Sequence, residues 1–164
     1  MKDQEIILET IIKAPIERCF LLSLNVDLHT RSVEWSNEKA VAGVIHGTME
    51  AGDLVTWQAN HFGIKMHMTT KISAYNSPVY FVSEMVKGPF KKIFHQHYFE
   101  ISGDTTLMKD HFSFRSPLGI AGYLMDVLFL KKYMRQLLLN RNETITKIAE
   151  GRNWEKYTLK KSTI

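Results

Sequence analysis

His95, His97 and Asp110 are the residues of this chain whose types and spacing could do chemistry. The two histidines alternate along the run 92–101, and the aspartate lies in the next run, 105–114. Both runs alternate apolar and polar residues as β-strands do, so alternate side chains should share one face. A carboxylate on an otherwise apolar face has to be paired, hydrated or protonated. The pattern therefore predicts a polar cluster within an apolar surface.

Four roles are open to this cluster. It could be a structural pair that fixes the strand register, or a set of hydrogen-bonding groups for the polar end of a ligand. His97 and Asp110 could also act as general base and orienting group for proton abstraction beside a carbonyl, with His95 as a further catalytic candidate. Two histidines and a carboxylate can bind iron or zinc, but no third His or Cys lies at a diagnostic spacing. We therefore predict no metal and no cofactor.

The turn between the two runs predicts which residues face each other. Gly103 and Asp104 fit a two-residue type II′ turn, which sets the register of the hairpin. On the more apolar face this register predicts three pairs: Phe99 with Met108, His97 with Asp110, and His95 with Phe112.

Extending the alternation to the other strands, and the helical period to the C-terminal segment, predicts the wall of a ligand cavity. Inward methionines would make that wall deformable, or they could instead fill a sealed core. The predicted ligand-binding residues are Trp57, Met66, Met68, Phe81, Ser83, Met85, His95, His97, Phe99, Met108, Asp110, Phe112, Tyr123, Val127 and Met134.

The elements that must position these residues follow from periodicity and turn signals. A β-branched run at 5–13 predicts a first strand, Pro15 starts one short helix, and Asn25 caps a second. Ser116 and Pro117 begin a helix of about thirty residues, which Gly151 can end. Six further strands are predicted at 39–45, 53–60, 64–75, 79–86, 92–101 and 105–114. The fold class is α+β: a seven-stranded curved antiparallel sheet that grips a long C-terminal helix.

This order of elements, together with several short strings, resembles the helix-grip fold of the START-like, ligand-binding SRPBCC superfamily over about residues 4–150. The strings are Gly52, Asp53, Val55, Thr56 and Trp57 before His61, Phe62 and Gly63; Lys87 to Phe90; His95, His97 and Phe99; Thr106, Met108 and Asp110; and Ser116 to Gly119 with Gly122.

The resemblance implies a cavity for a hydrophobic or amphipathic small molecule, in a superfamily that mixes lipid carriers, hormone receptors, polyketide cyclases and chaperone-stimulating domains. An acid often stands where this chain has Ser83, and a glutamine where it has Met85. Both departures would make the cavity less polar.

The composition of the chain indicates which kinds of molecule it is expected to bind and where it is expected to be found. Hydrophobic residues make up 45% and charged residues 23%, which is typical of a globular chain. The net charge of +4 is spread out, so nucleic acid is not implied. The single Cys19 should be a small buried residue, and no apolar run reaches the eighteen or so residues of a membrane span. Without the layout of a secretory signal, a cytoplasmic protein is expected.

We divide the chain into a ligand-binding domain, 1–151, and a basic tail, 152–164. The tail should be solvated, although its aromatics and cations could touch a membrane surface; they are Arg152, Trp154, Lys156, Tyr157, Lys160 and Lys161. The predicted function is non-catalytic binding of a lipid, polyketide or similar molecule between sheet and helix. The alternatives are a cyclase or dehydratase-like enzyme that uses the His and Asp cluster, and a protein-interaction module with a filled core.

Overall fold

A computed structural model describes residues 2–158 and 161–164. One antiparallel sheet of eight strands wraps around a long C-terminal helix, with strand order β1-β7-β6-β5-β4-β3-β2-β8. The strands are β1 (Gln4–Ile12), β2 (Lys39–His46), β3 (Leu54–His61), β4 (Ile64–Asn76), β5 (Tyr80–Lys87), β6 (Lys92–Ser102), β7 (Thr105–Arg115) and β8 (Ser162–Thr163). The predicted helix-grip architecture is confirmed, and the eighth strand is an addition to it.

Two short helices, α1 (Ile16–Ser23) and α2 (Val26–Ser32), link β1 to β2. The predicted cap of α2 is confirmed, because the Asn25 side chain accepts a hydrogen bond from the Leu28 amide at 2.9 Å. A 3-10 turn, Glu34–Ser36, follows. Cys19 on α1 is fully buried, and burial raises the pKa of its thiol, so it is a core residue as predicted.

The C-terminal helix runs for 32 residues and ends at Gly151 as predicted. It consists of α3 (Gly119–Met125), a π-helical turn (Asp126–Leu130) and α4 (Lys131–Glu150). The start lies three residues after Ser116, whose hydroxyl and amide both donate to the Asp126 carboxylate. These bonds tie the β7–α3 connection to the helix.

Most described residues of the tail are exposed, but two parts of it fold back onto the domain. Tyr157 is buried in a 3-10 turn, Trp154–Tyr157, where its carbonyl accepts from Asn25 Nδ2 at 2.6 Å and its hydroxyl from Arg31 at 2.7 Å. β8 then pairs with β2. A two-residue strand has no periodicity to detect, which is why the sequence did not predict it. Lys160 lies outside the described residues.

Gly43 in β2 has a structural requirement for glycine. Its φ is +74°, and a Cβ there would lie 2.2 Å from the Leu54 carbonyl oxygen. Its backbone exchanges two hydrogen bonds with Ile164, just beyond β8. The close approach of β2 to both neighbours therefore depends on the missing side chain.

The core lies in two apolar clusters on the concave face of the sheet. The larger one packs α1 and α2 onto the sheet, with the Phe20 ring edge-on to Tyr75, Phe81 and Phe99 at centroid distances of 5.4 to 5.6 Å. The smaller one joins β1 and β7 to α4 through residues such as Ile6, Phe114 and Leu138. The C-terminal helix spans both clusters, and a cavity remains beneath it.

Candidate functional site

The cavity occupies about 590 Å³ between the concave face of the sheet and the helix. Its wall is mainly apolar and includes Trp57, Met66, Met68 and Met134. Phe62, Ile64, Leu118 and Met125 both line the cavity and are solvent-exposed, so they mark its mouth. Such a volume falls in the range of small-molecule sites.

The His and Asp cluster forms where the hairpin register predicts it. β6 and β7 pair Ser102 with Thr105, and from there His97 faces Asp110. Asp110 is completely buried. Its Oδ1 lies 2.8 Å from His95 Nε2 and 2.9 Å from His97 Nδ1. One carboxylate oxygen thus meets both imidazoles.

Two residues of α4, which covers the concave face of the sheet, complete the cluster. Asn142 Nδ2 donates to Asp110 Oδ2 at 2.6 Å and lies 3.2 Å from Thr10 Oγ1 on β1. Arg141 Nη1 lies 3.7 Å from Asp110 Oδ1, and its Nη2 donates to the Ser23 carbonyl at 2.9 Å. The cluster therefore joins the sheet, α1 and the C-terminal helix.

The cluster carries its charge on Asp110 and Arg141. Burial is the largest influence on Asp110 and raises its pKa, but the neighbouring histidines outweigh it and hold that pKa well below its usual range. Burial lowers the pKa of His95, and burial with the adjacent His95 lowers that of His97 further. Burial also lowers the pKa of Arg141, opposed by the attraction of Asp110. At neutral pH the histidines are therefore neutral, beside an Asp–Arg ion pair.

The two histidines offer different chemistry. Because His95 Nε2 is hydrogen-bonded to the carboxylate, it carries the ring proton, and Nδ1 of this cavity-lining ring is an acceptor. His97 Nδ1 is near the same oxygen but out of hydrogen-bond alignment, and it is buried without a partner among the described residues. Its ring stacks on Phe81 at 4.1 Å. His95 is thus the better placed to hydrogen-bond a ligand.

His95, His97 and Asp110 lie close enough together to bind a metal ion, but the charges around them are unfavourable for a cation. Their candidate ligand atoms lie within 4.8 Å of one another. However, both Asp110 oxygens already have partners, and the Arg141 guanidinium stands beside them. A divalent cation here would meet that positive charge in a low-dielectric interior. The residues present do not fit a metal.

A second polar group on the cavity wall was missed by the sequence analysis. Glu38 Oε1 lies 2.6 Å from His29 Nε2, and its Oε2 lies 3.8 Å from His61 Nε2. His61 Nδ1 lies 2.6 Å from the Tyr133 hydroxyl, whose pKa is raised by burial and by the nearby Glu38 charge. His29, His61 and Tyr133 lie in α2, β3 and α4, and Glu38 directly precedes β2, so no local spacing connects the four residues. His61 alone belonged to a quoted string.

The structure places nine of the fifteen predicted ligand-binding residues on the cavity wall. They are Trp57, Met66, Met68, Phe81, Ser83, His95, His97, Phe112 and Met134. The other six lie elsewhere, for two physical reasons.

Four of the six are covered by other side chains. Asp110 lies behind its histidines. Phe99 packs on Phe20 of α1, and Met108 Sδ lies 3.5 Å from Ser23 Oγ of the same helix. α1 therefore covers the end of the concave face where the sequence had predicted cavity wall. Met85 packs beneath the turn after β5, where its Sδ would lie 2.6 Å from a Cβ on Gly88.

Tyr123 and Val127 are exposed because the helix contains a π-helical turn. The Lys131 amide donates to the Asp126 carbonyl, a turn that holds one residue more than an α-helical turn. The predicted stripe is correct from Leu130 onward, where Met134, Leu137 and Arg141 face the cavity. Earlier in the helix the buried positions are Gly122 and Asp126, the latter at the start of the π turn, and each lies one residue before the predicted one.

No family model matches the chain, and no curated protein matches it. Solved structures do share its fold. The ginseng major latex-like protein 151 from Panax ginseng superposes with a TM-score of 0.63 at 17% identity, covering 91% of this chain and 99% of that one. The KanY protein gives 0.71 at 12% identity, with coverages of 92% and 100%. The Zhui aromatase/cyclase from a Streptomyces species gives 0.62 at 8% identity, with coverages of 87% and 94%.

These superpositions establish the helix-grip fold and nothing finer. Within the described residues, no helix has the length and apolar character needed to cross a bilayer.

Proposed function

We propose that this protein binds a hydrophobic or amphipathic small molecule, without chemical conversion, in the cavity between sheet and C-terminal helix. The observation that supports this most directly is an apolar space of about 590 Å³ with a few converging polar groups. Burial of apolar ligand surface would supply most of the affinity, at roughly 25 cal/mol per Å². The latex-like protein and the cyclase share the fold but do not specify the ligand.

The polar groups narrow the ligand's chemistry. His95 Nδ1 is an acceptor on the wall, so it selects a ligand with a hydroxyl or other donor at its inner end. The thioether side chains of Met66, Met68 and Met134 are polarizable and can repack around different ring or chain shapes. A lipid, a polyketide or a similar molecule with one hydrogen-bonding end fits this arrangement.

Two measurements test the proposal. Native mass spectrometry of freshly purified protein, followed by organic extraction, should reveal a copurifying apolar molecule. Titration with the fluorescent probe N-phenyl-1-naphthylamine should give saturable binding, which Ser83→Phe weakens by filling the wall. Glu84→Phe is the matched control, because it adds the same ring to the same strand outside the cavity lining. No copurifying molecule together with no saturable probe binding would refute the proposal.

An enzyme of the cyclase or dehydratase class is the second candidate, and the His95–Asp110 hydrogen bond favours it. Asp110 would orient the His95 ring, and His95 Nδ1 would accept a proton from the substrate carbon beside a carbonyl group. His95→Gln would then abolish turnover of a polyketide substrate while N-phenyl-1-naphthylamine binding stayed within about twofold. If His95→Gln reduced turnover and probe binding equally, the cluster would serve ligand binding and not catalysis. The cavity is inconsistent with the third candidate, an interaction module whose core is filled.

A further inference from the structure

An extended apolar surface surrounds the mouth of the cavity. Phe62 on the β3–β4 turn and Ile64 at the start of β4 are 66% and 59% exposed. Leu118, Met125 and Phe129 of the opposite segment are 72%, 48% and 58% exposed. We call these five residues the mouth face. Further exposed apolar side chains continue along the helix: Ile120, Leu124, Val127 and Leu128.

The fold does not account for this exposure. A surface helix normally presents polar residues to solvent, whereas from Leu118 to Leu130 the only charged side chain is Asp126, which is buried. Phe62 sits at the turn tip with φ of +53°, a region that bulky side chains rarely adopt. The Phe62 ring contacts the Tyr133 ring at a centroid distance of 4.9 Å, but most of it remains in solvent. Exposed apolar surface of this extent marks an interaction site.

Positive charge adjoins the mouth face. Lys65 follows Ile64 directly, Lys87 and Lys91 flank the cavity-lining Pro89 and Phe90, and Lys131 and Lys132 follow Leu130. All five lysines are exposed, and none forms a salt bridge with residues 2–158 or 161–164. The segments 62–65, 86–91 and 118–132 contain one acid, the buried Asp126. This edge of the molecule therefore combines apolar and cationic character.

We infer that the mouth face docks onto a bilayer that contains anionic phospholipid. The five apolar side chains would enter the boundary between headgroups and acyl chains, and the five lysines would contact lipid phosphates. A second copy of the chain is a poorer occupant, because a two-fold contact would bring two sets of lysines together. The site proposed for membrane contact is therefore the cavity mouth and not the basic tail. The inference is independent of which molecule the cavity holds.

Vesicle cosedimentation tests this directly. The full chain is mixed with vesicles of phosphatidylcholine alone, or with about one third phosphatidylglycerol. We expect binding to the anionic vesicles that weakens with added salt. The double variant Phe62→Asn/Phe129→Ser should weaken binding at least about tenfold, and Lys131→Glu/Lys132→Glu comparably. Asn tolerates the left-handed backbone at position 62, so folding should be unaffected.

The matched control is Ile7→Asn/Ile11→Ser, which removes two side chains of similar exposure, 65% and 66%, from the outer face of β1. It should leave vesicle binding unchanged. Absent binding, equal binding to neutral vesicles, or equal loss in the control overturns the inference. So does a dimer in analytical ultracentrifugation that Phe62→Asn/Phe129→Ser dissociates, because a second copy would then occupy the face. Vesicle binding can fail while N-phenyl-1-naphthylamine binding persists, so the two proposals fail separately.

Discussion

Lowering the pH from 7.5 to 5.0 should strongly destabilise the protein through His95 and His97. Burial lowers the pKa of both rings, so both stay neutral in the folded state while the unfolded chain takes up their protons below about pH 6.5. The stability from a depressed histidine pKa is therefore lost as the pH falls below the unfolded value. A histidine that stays neutral in the folded state contributes about 1.4 kcal/mol per pH unit below the unfolded pKa, so about 4 kcal/mol is the upper limit for the pair between pH 6.5 and 5.0.

Asp110 adds nothing in this window. Its folded pKa is also depressed, so its contribution is present above the unfolded value, near 3.9, and is lost only in stronger acid. Even a part of this upper limit is a sizeable share of the roughly 5–15 kcal/mol that stabilises a typical domain. The effect should therefore be plain in a single series of measurements.

Urea denaturation followed by tryptophan fluorescence at half-unit pH steps provides the assay. Met108→Ala is the control, because it removes packing from the same core without removing a titratable group. Its free energy of unfolding should be lower at every pH but should change with pH by the same amount. A flat profile between pH 7.5 and 5.0 would refute the reasoning. A rise toward pH 5.0 would show instead that the histidines are protonated against Asp110.

Three further changes test other parts of the structure by chemical or thermal denaturation. Asn142→Leu leaves a buried carboxylate oxygen unpaired and should cost about 2–4 kcal/mol, whereas Asn140→Leu on the same helix should cost under about 1; equal costs would contradict the polar cluster. Gly43→Ala should cost well over about 2 kcal/mol because its Cβ meets a carbonyl, against about 1 for Gly52→Ala, which has positive φ but open space. Tyr157→Ala should cost about 3 kcal/mol by emptying the tail's buried site, and an unchanged melting temperature would show that the tail does not anchor there.

Local rules predicted the parts of this molecule that local chemistry decides. The Gly103–Asp104 turn determined the hairpin register, and that register alone placed His97 opposite Asp110. Glycine and proline signals located the strands within about two residues, because chain reversals need those residues. The predicted helical stripe was correct from Leu130 onward, after the π turn.

The remaining features depend on contacts between distant segments. Asn142 looks like any polar helix residue until α4 is laid over β7, and Glu38 joins His29 and His61 only in three dimensions. The screening of Phe99 by α1 likewise depends on how that helix docks. Sequence periodicity identifies a face, but not which neighbour covers it.

The π turn decides which side chains stand above the cavity at the start of the C-terminal helix. It holds one residue more than an α-helical turn, and with that residue in place Gly122 is turned inward. If the same residues closed into a regular α-helix, the segment before the turn would rotate by about 100° and Tyr123 would replace Gly122 above the cavity. The room available to a ligand is therefore set by the form of one helical turn as well as by the sheet.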